Sequence, residues 1–292
     1  MIDLKEKRTI LVTGGAGFIG SHLCEKLVSL GHMVISLDDY STGSEKNHVA
    51  EPQYRRGHTT EIEKRIPETV DLVFHLGEYS RTSQSFKDLP RVWHSNMDGT
   101  FAVLEYCRLR KVPIVYAGSS TKFGDDNTGY LQSPYAWTKT HNTGLLARYG
   151  EWFSLPYVIT YFYNVYGGRE SSDPEYGTLI AIYKKLYQEG ARTIPVVKPG
   201  TQERNFTHVD DIVEGLIRAA EKGSGDGYCF GSPEVFTIEA VAKMFGNEIK
   251  YLPYRPGDRM RASIDLSKTE KKLGWKATRH LADYIAEIKA HA

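Results

Sequence analysis

The sequence predicts an α/β protein in which a doubly wound parallel sheet is followed by a smaller α/β lobe. In the first 165 residues, short and almost continuously apolar segments alternate with segments of helical periodicity. Strands that are apolar along their whole length are typical of a parallel sheet covered by helices on both faces. After Asn164 the helical segments become shorter, and aromatic residues, glycines and prolines interrupt them.

The predicted strands and helices of the first part follow one another in a regular order. The predicted strands are 9–13, 33–37, 71–76, 113–117 and 157–161. The predicted helices are 19–30, about 92–110 and about 135–148, and Gly31 and Gly150 are placed to end two of them. We therefore predict a first domain over residues 1–165 and a smaller lobe over residues 166–292, with roughly residues 205–222 packing back onto the first domain.

The composition excludes several classes of partner. The 37 lysines and arginines almost balance the 36 aspartates and glutamates without a basic stripe, so we expect neither a nucleic acid nor a membrane as a partner. No apolar stretch approaches the length of a membrane span, and residues 1–8 are unlike a signal peptide. Cys24, Cys107 and Cys229 have no paired spacing and the histidines no ligand spacing, which predicts a cytoplasmic protein without a metal site.

A glycine-rich turn lies directly between the first predicted strand and the first predicted helix. Gly14, Gly17 and Gly20 permit a tight turn, the approach of a pyrophosphate to the backbone, and close packing of the helix on the strand. The helix that follows offers unpaired N–H groups to the phosphates. Asp38 ends the second strand, where a carboxylate accepts both ribose hydroxyls of NAD and repels the 2′-phosphate of NADP. The pattern predicts a Rossmann-type NAD site, and a structural glycine turn is the alternative.

Tyr135 and Lys139 are four residues apart in a predicted helix, so their side chains share one helical face. Ser133 can cap this helix, and Pro134 suits its first turn. A cation beside a phenol stabilises the phenolate, which makes the hydroxyl a better general base. The spacing alone is also compatible with a surface helix whose residues have no common role.

Motifs along almost the whole chain resemble those of the extended short-chain dehydrogenase/reductase family, specifically its nucleotide-sugar epimerase branch. The matching segments are 13–20, 73–76, 96–100, Ser119, Tyr135 with Lys139, 164–167, 202–210, 255–258, 265–268 and 273–275. The resemblance implies oxidation of a sugar hydroxyl, usually at C4, with NAD as the hydride acceptor. It implies that Tyr135 removes the hydroxyl proton, that Lys139 binds the nicotinamide ribose, and that Ser119 hydrogen-bonds the reacting oxygen.

The resemblance also assigns residues to the two ligands. Those implied for NAD are Gly14, Gly17, Phe18, Ile19, Gly20, Asp38, Leu76, Gly77, Asn96, Tyr135 and Lys139. Those implied for a UDP- or GDP-linked sugar are Ser119, Ser120, Asn164, Arg204, Arg255 and Asp258. Glu78 is a further candidate for this ligand because of its own carboxylate. Arg204 and Arg255 match positions that serve the diphosphate, since an arginine fork suits phosphate oxygens, although either could be a surface arginine in a salt bridge.

Departures from the family pattern reduce the number of reactions that the site could catalyse. Ser120 and Thr121 stand where the 4,6-dehydratases have an aspartate and a glutamate, and neither side chain titrates near neutrality. Dehydration is therefore disfavoured. Glu78 stands where small residues are usual. Its carboxylate would repel a uronic acid and could bind sugar hydroxyls or an amine, unless it pairs with Arg81.

The leading hypothesis is a cytoplasmic NAD-dependent nucleotide-sugar 4-epimerase with its active site between the two lobes. The nearest alternative is a nucleotide-sugar C4 dehydrogenase or reductase, followed by a 4,6-dehydratase or a noncatalytic NAD-binding protein. The presence of Ser119, Tyr135 and Lys139 argues against the noncatalytic alternative. The resemblance further implies a homodimer through the helices that carry residues 92–110 and 135–148.

Overall fold

The computed structural model describes residues 2–123, 131–254, 259–261 and 263–291. The strands are β1 (Thr9–Thr13), β2 (Met33–Asp38), β3 (Gln53–Arg56), β4 (Leu72–His75), β5 (Ile114–Ser119), β6 (Tyr157–Phe162), β7 (Val165–Tyr166), β8 (Thr193–Val197), β9 (Glu203–Asn205), β10 (Thr207–His208), β11 (Gly225–Phe230), β12 (Val235–Thr237) and β13 (Glu248–Leu252). The α-helices are α1 (Phe18–Ser29), α2 (Ile62–Arg65), α3 (Leu89–Val92), α4 (Gly99–Arg110), α5 (Pro134–Phe153), α6 (Leu179–Gln188), α7 (Val209–Lys222), α8 (Ile238–Phe245), α9 (Ser267–Leu273) and α10 (Leu281–Ala290). A π-helical segment, Trp93–Asp98, joins α3 to α4.

The predicted doubly wound parallel sheet is confirmed. In the described part of the chain it has seven strands in the order β11-β6-β5-β4-β1-β2-β3, and every neighbouring pair is parallel. The chain winds outward in one direction from β1 to β3 and in the other from β4 to β6. The strand order therefore reverses between β1 and β4, which opens a crevice at the carboxyl ends of these strands.

Helices cover both faces of the sheet because successive strand residues point to opposite sides. Ile10 and Val12 of β1 belong to a core cluster with residues of α1 and α7. Leu11, between them, belongs to the opposite cluster with residues of α4 and α5. All three side chains are fully buried, which explains why the strand is apolar along its whole length.

The division into two lobes is more interwoven than the predicted boundary at residue 166. Helix α7 packs against the central sheet. The sheet also includes β11, and Trp275 is buried in the same core, although both were predicted to belong to the smaller lobe. Strand β11 pairs with β6 and so covers an edge that would otherwise expose unpaired backbone groups.

The smaller lobe has a core of its own. Residues of α6, α8 and α10 pack there with strand β8, and Ile180, Val196, Phe245 and Ile285 are buried in it. Two strand pairs support the lobe, namely the parallel pair β8–β13 and the antiparallel pair β9–β12. None of the helices in the described ranges combines the length and apolar character needed to cross a membrane.

Candidate active site

A cleft of about 960 Å³ lies at the carboxyl ends of the central strands. The glycine turn, the ends of β2, β4 and β5, and the start of α5 line it on one side. On the other side it is lined by residues of the smaller lobe, such as Thr178, Arg204 and Leu252. Its volume and its position at the reversal of the strand order are those expected of a ligand site in an open α/β sheet.

The glycine turn leaves no room for side chains. Gly14 has a φ of +75°, and a Cβ atom there would lie 2.9 Å from the Cα atom of Gly77. A Cβ atom on Gly20 would collide with the carbonyl oxygen of Gly14. Helix α1 begins at Phe18, so its first N–H groups and its positive dipole end lie beside the cleft. The turn is thus shaped for an anionic group that approaches the backbone.

Asp38 holds a carboxylate at the edge of this turn. Its oxygens accept hydrogen bonds from the backbone N–H groups of Ala16 (2.9 Å) and Tyr40 (2.8 Å). Burial raises the pKa of Asp38, and these two hydrogen bonds oppose the rise. The carboxylate lines the cleft at the end of β2, as predicted for an acceptor of ribose hydroxyls.

Helix α5 places Tyr135 and Lys139 on its buried face at the cleft. The helix begins at Pro134, and Ser133 caps it as predicted, because its Oγ accepts a hydrogen bond from the N–H of Ala136 (3.1 Å). Tyr135 is 9% exposed and Lys139 is 5% exposed, and both line the cleft. The pair therefore occupies a fixed position beside the glycine turn.

Glu78 does not take either of the positions expected for it. Its backbone lines the cleft, but its side chain is only 2% exposed and pairs with Lys139. Arg81, the alternative partner, instead donates a hydrogen bond to the carbonyl oxygen of Tyr176. The structure thus places the Glu78 carboxylate behind the lysine and not toward a sugar.

Asn96, predicted to contact the cofactor, does not line the cleft. It is fully buried, and its side chain hydrogen-bonds the backbone of Tyr79 and the hydroxyl of Thr138. These bonds attach the loop after β4 to helix α5. Leu76 and Gly77, at the start of that loop, do line the cleft, together with Gly14, Gly17, Phe18, Ile19 and Gly20.

Ser119 and Ser120 lie at the end of β5, on the floor of the cleft. The Ser119 Oγ atom accepts a hydrogen bond from the Thr121 hydroxyl (2.9 Å). Ser120 accepts two from the buried guanidinium of Arg259, one on its carbonyl oxygen (2.7 Å) and one on its Oγ atom (3.0 Å). Sequence reasoning missed Arg259, although it directly follows the matched segment 255–258.

Asn164, which follows β6, and Arg204, in β9 of the smaller lobe, also line the cleft. Asn164 donates a hydrogen bond to the carbonyl oxygen of Asn205 (2.9 Å), and its φ of +37° lies in the left-handed region. Arg204 donates to the carbonyl oxygen of Glu203 (2.8 Å). The other two residues predicted to bind the substrate, Arg255 and Asp258, lie outside the described residues.

The described side chains include no group of three or more histidine, cysteine, aspartate or glutamate residues that could hold a metal ion. The chemistry available in the cleft is that of the Tyr135 phenol, the Lys139 ammonium and the Ser119 hydroxyl, next to a turn and a carboxylate that suit a dinucleotide.

Comparison with known proteins points to the same chemistry. The sequence model of the NAD dependent epimerase/dehydratase family matches residues 10–231. The UDP-glucose 4-epimerase of Mycolicibacterium smegmatis is 30% identical over 308 residues, covering 95% of this chain and 96% of that protein. The UDP-N-acetyl-alpha-D-glucosaminuronate decarboxylase of Bacillus cytotoxicus is 31% identical over 260 residues, covering 81% and 79%. The crystal structure of UDP-glucose 4-epimerase from Thermotoga maritima with UDP-glucose has a TM-score of 0.90 and 26% identity, covering 97% of this chain and 99% of that one.

Proposed function

Since the chain belongs to the NAD dependent epimerase/dehydratase family, we propose that it is a nucleotide-sugar 4-epimerase that acts by transient oxidation at C4. The observation that carries this proposal is the arrangement around helix α5. Tyr135 and Lys139 share its buried face in the cleft. The two residues after Ser119 are Ser120 and Thr121, which carry hydroxyl groups and not carboxylates.

The residues of the glycine turn fit NAD. Gly14 and Gly20 let the turn fold tightly, because a Cβ atom at either position would collide with backbone atoms, and the N-terminus of α1 and the Asp38 carboxylate complete the cradle. When bound, NAD supplies the hydride acceptor that oxidation of a sugar carbon requires. Epimerisation consumes no net oxidant, because the sugar is reduced again within the same cycle.

The side chains of this protein supply the proton transfer and the positioning. Tyr135 takes the proton of the sugar hydroxyl during oxidation, with its phenolate as the base, and returns this proton during reduction, with the resulting phenol as the acid. Ser119 hydrogen-bonds the reacting oxygen. Arg204 provides a cation for the diphosphate of a UDP- or GDP-linked sugar, with Asn164 beside it.

The neighbours of Ser119 support epimerisation over elimination of water. The Ser120 hydroxyl is bonded to Arg259 and the Thr121 hydroxyl to Ser119. Elimination requires an acid and a base that titrate near the working pH, and a serine or threonine hydroxyl does not. This chain therefore differs from dehydratases that carry two carboxylates at this place, because it lacks the acid and the base that elimination requires.

The test is an assay of the purified protein with UDP- and GDP-hexoses in turn, without added NAD. We expect C4 epimers to interconvert, as followed by nuclear magnetic resonance of the sugar protons. Activity only with stoichiometric consumption of NAD or NADH would contradict the epimerase and support a C4 dehydrogenase or reductase. Tight binding of NAD without conversion of any sugar nucleotide would support a noncatalytic protein.

The proposal extends to assembly and compartment. Large apolar side chains are exposed on α4 and α5, the helices through which the sequence predicts a homodimer, and they include Phe101, Leu109 and Trp152. The three cysteines are buried and free, as expected of a protein that works in a reducing compartment such as the cytoplasm.

A further inference from the structure

The carboxylate of Glu78 lies in a closed polar cluster behind the cleft. One oxygen, Oε2, accepts a hydrogen bond from the Nζ atom of Lys139. The other oxygen, Oε1, accepts from the Thr100 hydroxyl (2.8 Å), the Tyr116 hydroxyl (3.0 Å) and the Asn142 amide (2.9 Å). Because both oxygens are occupied by donors, this buried carboxylate is fully bonded without any ligand.

Lys139 is held in the same cluster. Besides its bond to Glu78, its ammonium group donates to the carbonyl oxygen of Ala117 and lies 4.6 Å from the centroid of the Tyr116 ring. Tyr116 thus contacts both members of the ion pair, Glu78 through its hydroxyl and Lys139 through its ring. The position of the ammonium group is fixed by β5 and by the loop after β4.

The other titratable groups of the cluster are neutral near pH 7. Burial, followed by the charge of Glu78, raises the pKa of Tyr116 well above its ordinary value. Burial lowers the pKa of His75 to about 4, and its ring nitrogens are bonded to the hydroxyls of Thr13 and Thr100. Glu78 and Lys139 are therefore the two charges of the cluster, and they are of opposite sign.

We propose that Glu78 is a positioning residue for Lys139. Its carboxylate fixes the ammonium group of Lys139 and offsets the positive charge that this group presents to Tyr135. This inference deepens the proposed function, since it concerns the same acid–base pair. A buried ion pair is tolerated when further hydrogen bonds satisfy its charged groups, and the Glu78 carboxylate receives them from Thr100, Tyr116 and Asn142. The carboxylate therefore acts through Lys139 and touches no reacting atom.

The consequence for Tyr135 is electrostatic. A lone cation next to a phenol favours the phenolate strongly, whereas an ion pair acts as a dipole whose effect falls off faster with distance. Arg81 faces Tyr135 from the loop after β4, and Tyr79 packs beside it as a neutral phenol whose pKa is raised by burial. The substitution Glu78→Gln would leave Lys139 as an unpaired cation, which favours the phenolate of a neighbouring tyrosine more than an ion pair does.

The test is a pH titration of Tyr135 in the NAD-loaded protein. Ultraviolet difference spectra against Tyr135→Phe isolate the tyrosinate signal of this residue, and no sugar nucleotide is needed. We expect Glu78→Gln to move the midpoint of this signal to lower pH by about one unit, a roughly tenfold gain of tyrosinate below the midpoint. The amide keeps the shape of the carboxylate, so that thermal unfolding and NAD binding can verify the fold.

A double-mutant cycle shows whether the effect passes through the lysine. In the Lys139→Met background, Glu78→Gln should move the midpoint by less, because only the direct repulsion between the carboxylate and the phenolate is then removed. Glu105→Gln is the matched control, because Glu105 also accepts hydrogen bonds from a tyrosine and a cation, Tyr149 and Arg108, but lies outside the cleft.

Several results would overturn the proposal: an unmoved midpoint or a shift to higher pH in Glu78→Gln, an equal shift in the Lys139→Met background, or the same shift in Glu105→Gln. Because the titration needs no substrate, its failure is distinguishable from a failure to epimerise any sugar.

Discussion

The Tyr135 hydroxyl can exchange a proton with a substrate, so its removal isolates the acid–base step. Phenylalanine preserves the packing of this ring against Tyr79 and Val92. We expect Tyr135→Phe to lower kcat by a factor of about 10²–10⁴. NAD should remain bound, since the glycine turn and Asp38 are untouched. Measurement of the C4 interconversion rate alongside the bound NAD checks both expectations, and an unchanged kcat would contradict the acid–base role.

Glu170 gives a prediction about stability and pH. It accepts hydrogen bonds from the N–H of Gly167 (2.8 Å) and from the Thr178 hydroxyl, and burial raises its pKa from 4.5 to about 7. Between these values the folded state retains a proton that the unfolded chain has lost, so the free energy of unfolding falls as the pH rises through this window. Glutamine should satisfy both partners without a charge.

We therefore expect Glu170→Gln to be more stable than the wild type at pH 8 by roughly 2–3 kcal/mol, and equal to it near pH 4. Urea unfolding at the two pH values measures the difference. Glu175→Gln is the control, because the Glu175 carboxylate is on the same segment but pairs with Lys87 at the surface. A constant difference for Glu170→Gln across the pH range would show that its charge is not the cause.

Sequence reasoning located some site residues and misplaced others for a physical reason. Tyr135 and Lys139 share a buried face at the cleft. Helical spacing predicts the shared face, whereas its position at the cleft depends on how the helix packs. The direction of the Glu78 side chain depends on donors from β5, α4 and α5, which are distant in sequence. The surroundings of Asn96 could not be predicted for the same reason, since the loop and helix that bury it meet only in the fold.

At the scale of elements, the glycines of the turn between β1 and α1 serve two different purposes, which are close packing of the backbone and room for a pyrophosphate. A Cβ atom on Gly20 would collide with the backbone of Gly14, whereas one on Gly17 would lie 3.1 Å from the nearest atom, the Gly14 carbonyl oxygen. We expect Gly20→Ala to lower the free energy of unfolding by about 1–3 kcal/mol. Gly17→Ala should change it by less than about 1 kcal/mol but weaken NAD binding, because Gly17 lines the cleft where a pyrophosphate would approach.

Thermal unfolding and NAD titration of the two variants test this separation. Equal destabilisation by both substitutions would contradict the assignment of Gly20 to packing. Undiminished NAD affinity in Gly17→Ala would contradict the assignment of Gly17 to the pyrophosphate.

The strands that were predicted are the ones that are almost entirely buried. Strands β1, β2, β4, β5 and β6 are apolar because helices cover both their faces, and this pattern is local. Strands β3 and β11 lie at the two edges of the sheet, and their sequences, Gln-Tyr-Arg-Arg and Gly-Asp-Gly-Tyr-Cys-Phe, lack that pattern. Their place depends on the strand beside them, which no short window of sequence reveals.

At the scale of the whole molecule, the outer faces of α4 and α5 carry apolar side chains that a monomer would leave in water. Phe101 is 53% exposed and Leu109 is 62% exposed, and they lie two turns apart on one face of α4. Trp152 of α5 is 61% exposed. The neighbouring Phe153 lies near the end of α4, where its ring contacts the guanidinium group of Arg108. Aromatic and aliphatic surfaces of this kind are enriched at the centres of protein interfaces.

We expect the wild type to be a dimer by size-exclusion chromatography with light scattering, and Leu109→Glu to be mainly monomeric at the same concentration. A carboxylate buried without a partner in the interface should weaken the dimer at least about tenfold, by the loss of roughly 1.4 kcal/mol or more. Leu30→Glu is the matched control, because Leu30 is 45% exposed at the end of α1, on the opposite face of the sheet. A monomeric wild type, or dissociation by Leu30→Glu but not by Leu109→Glu, would exclude α4 and α5 as the interface.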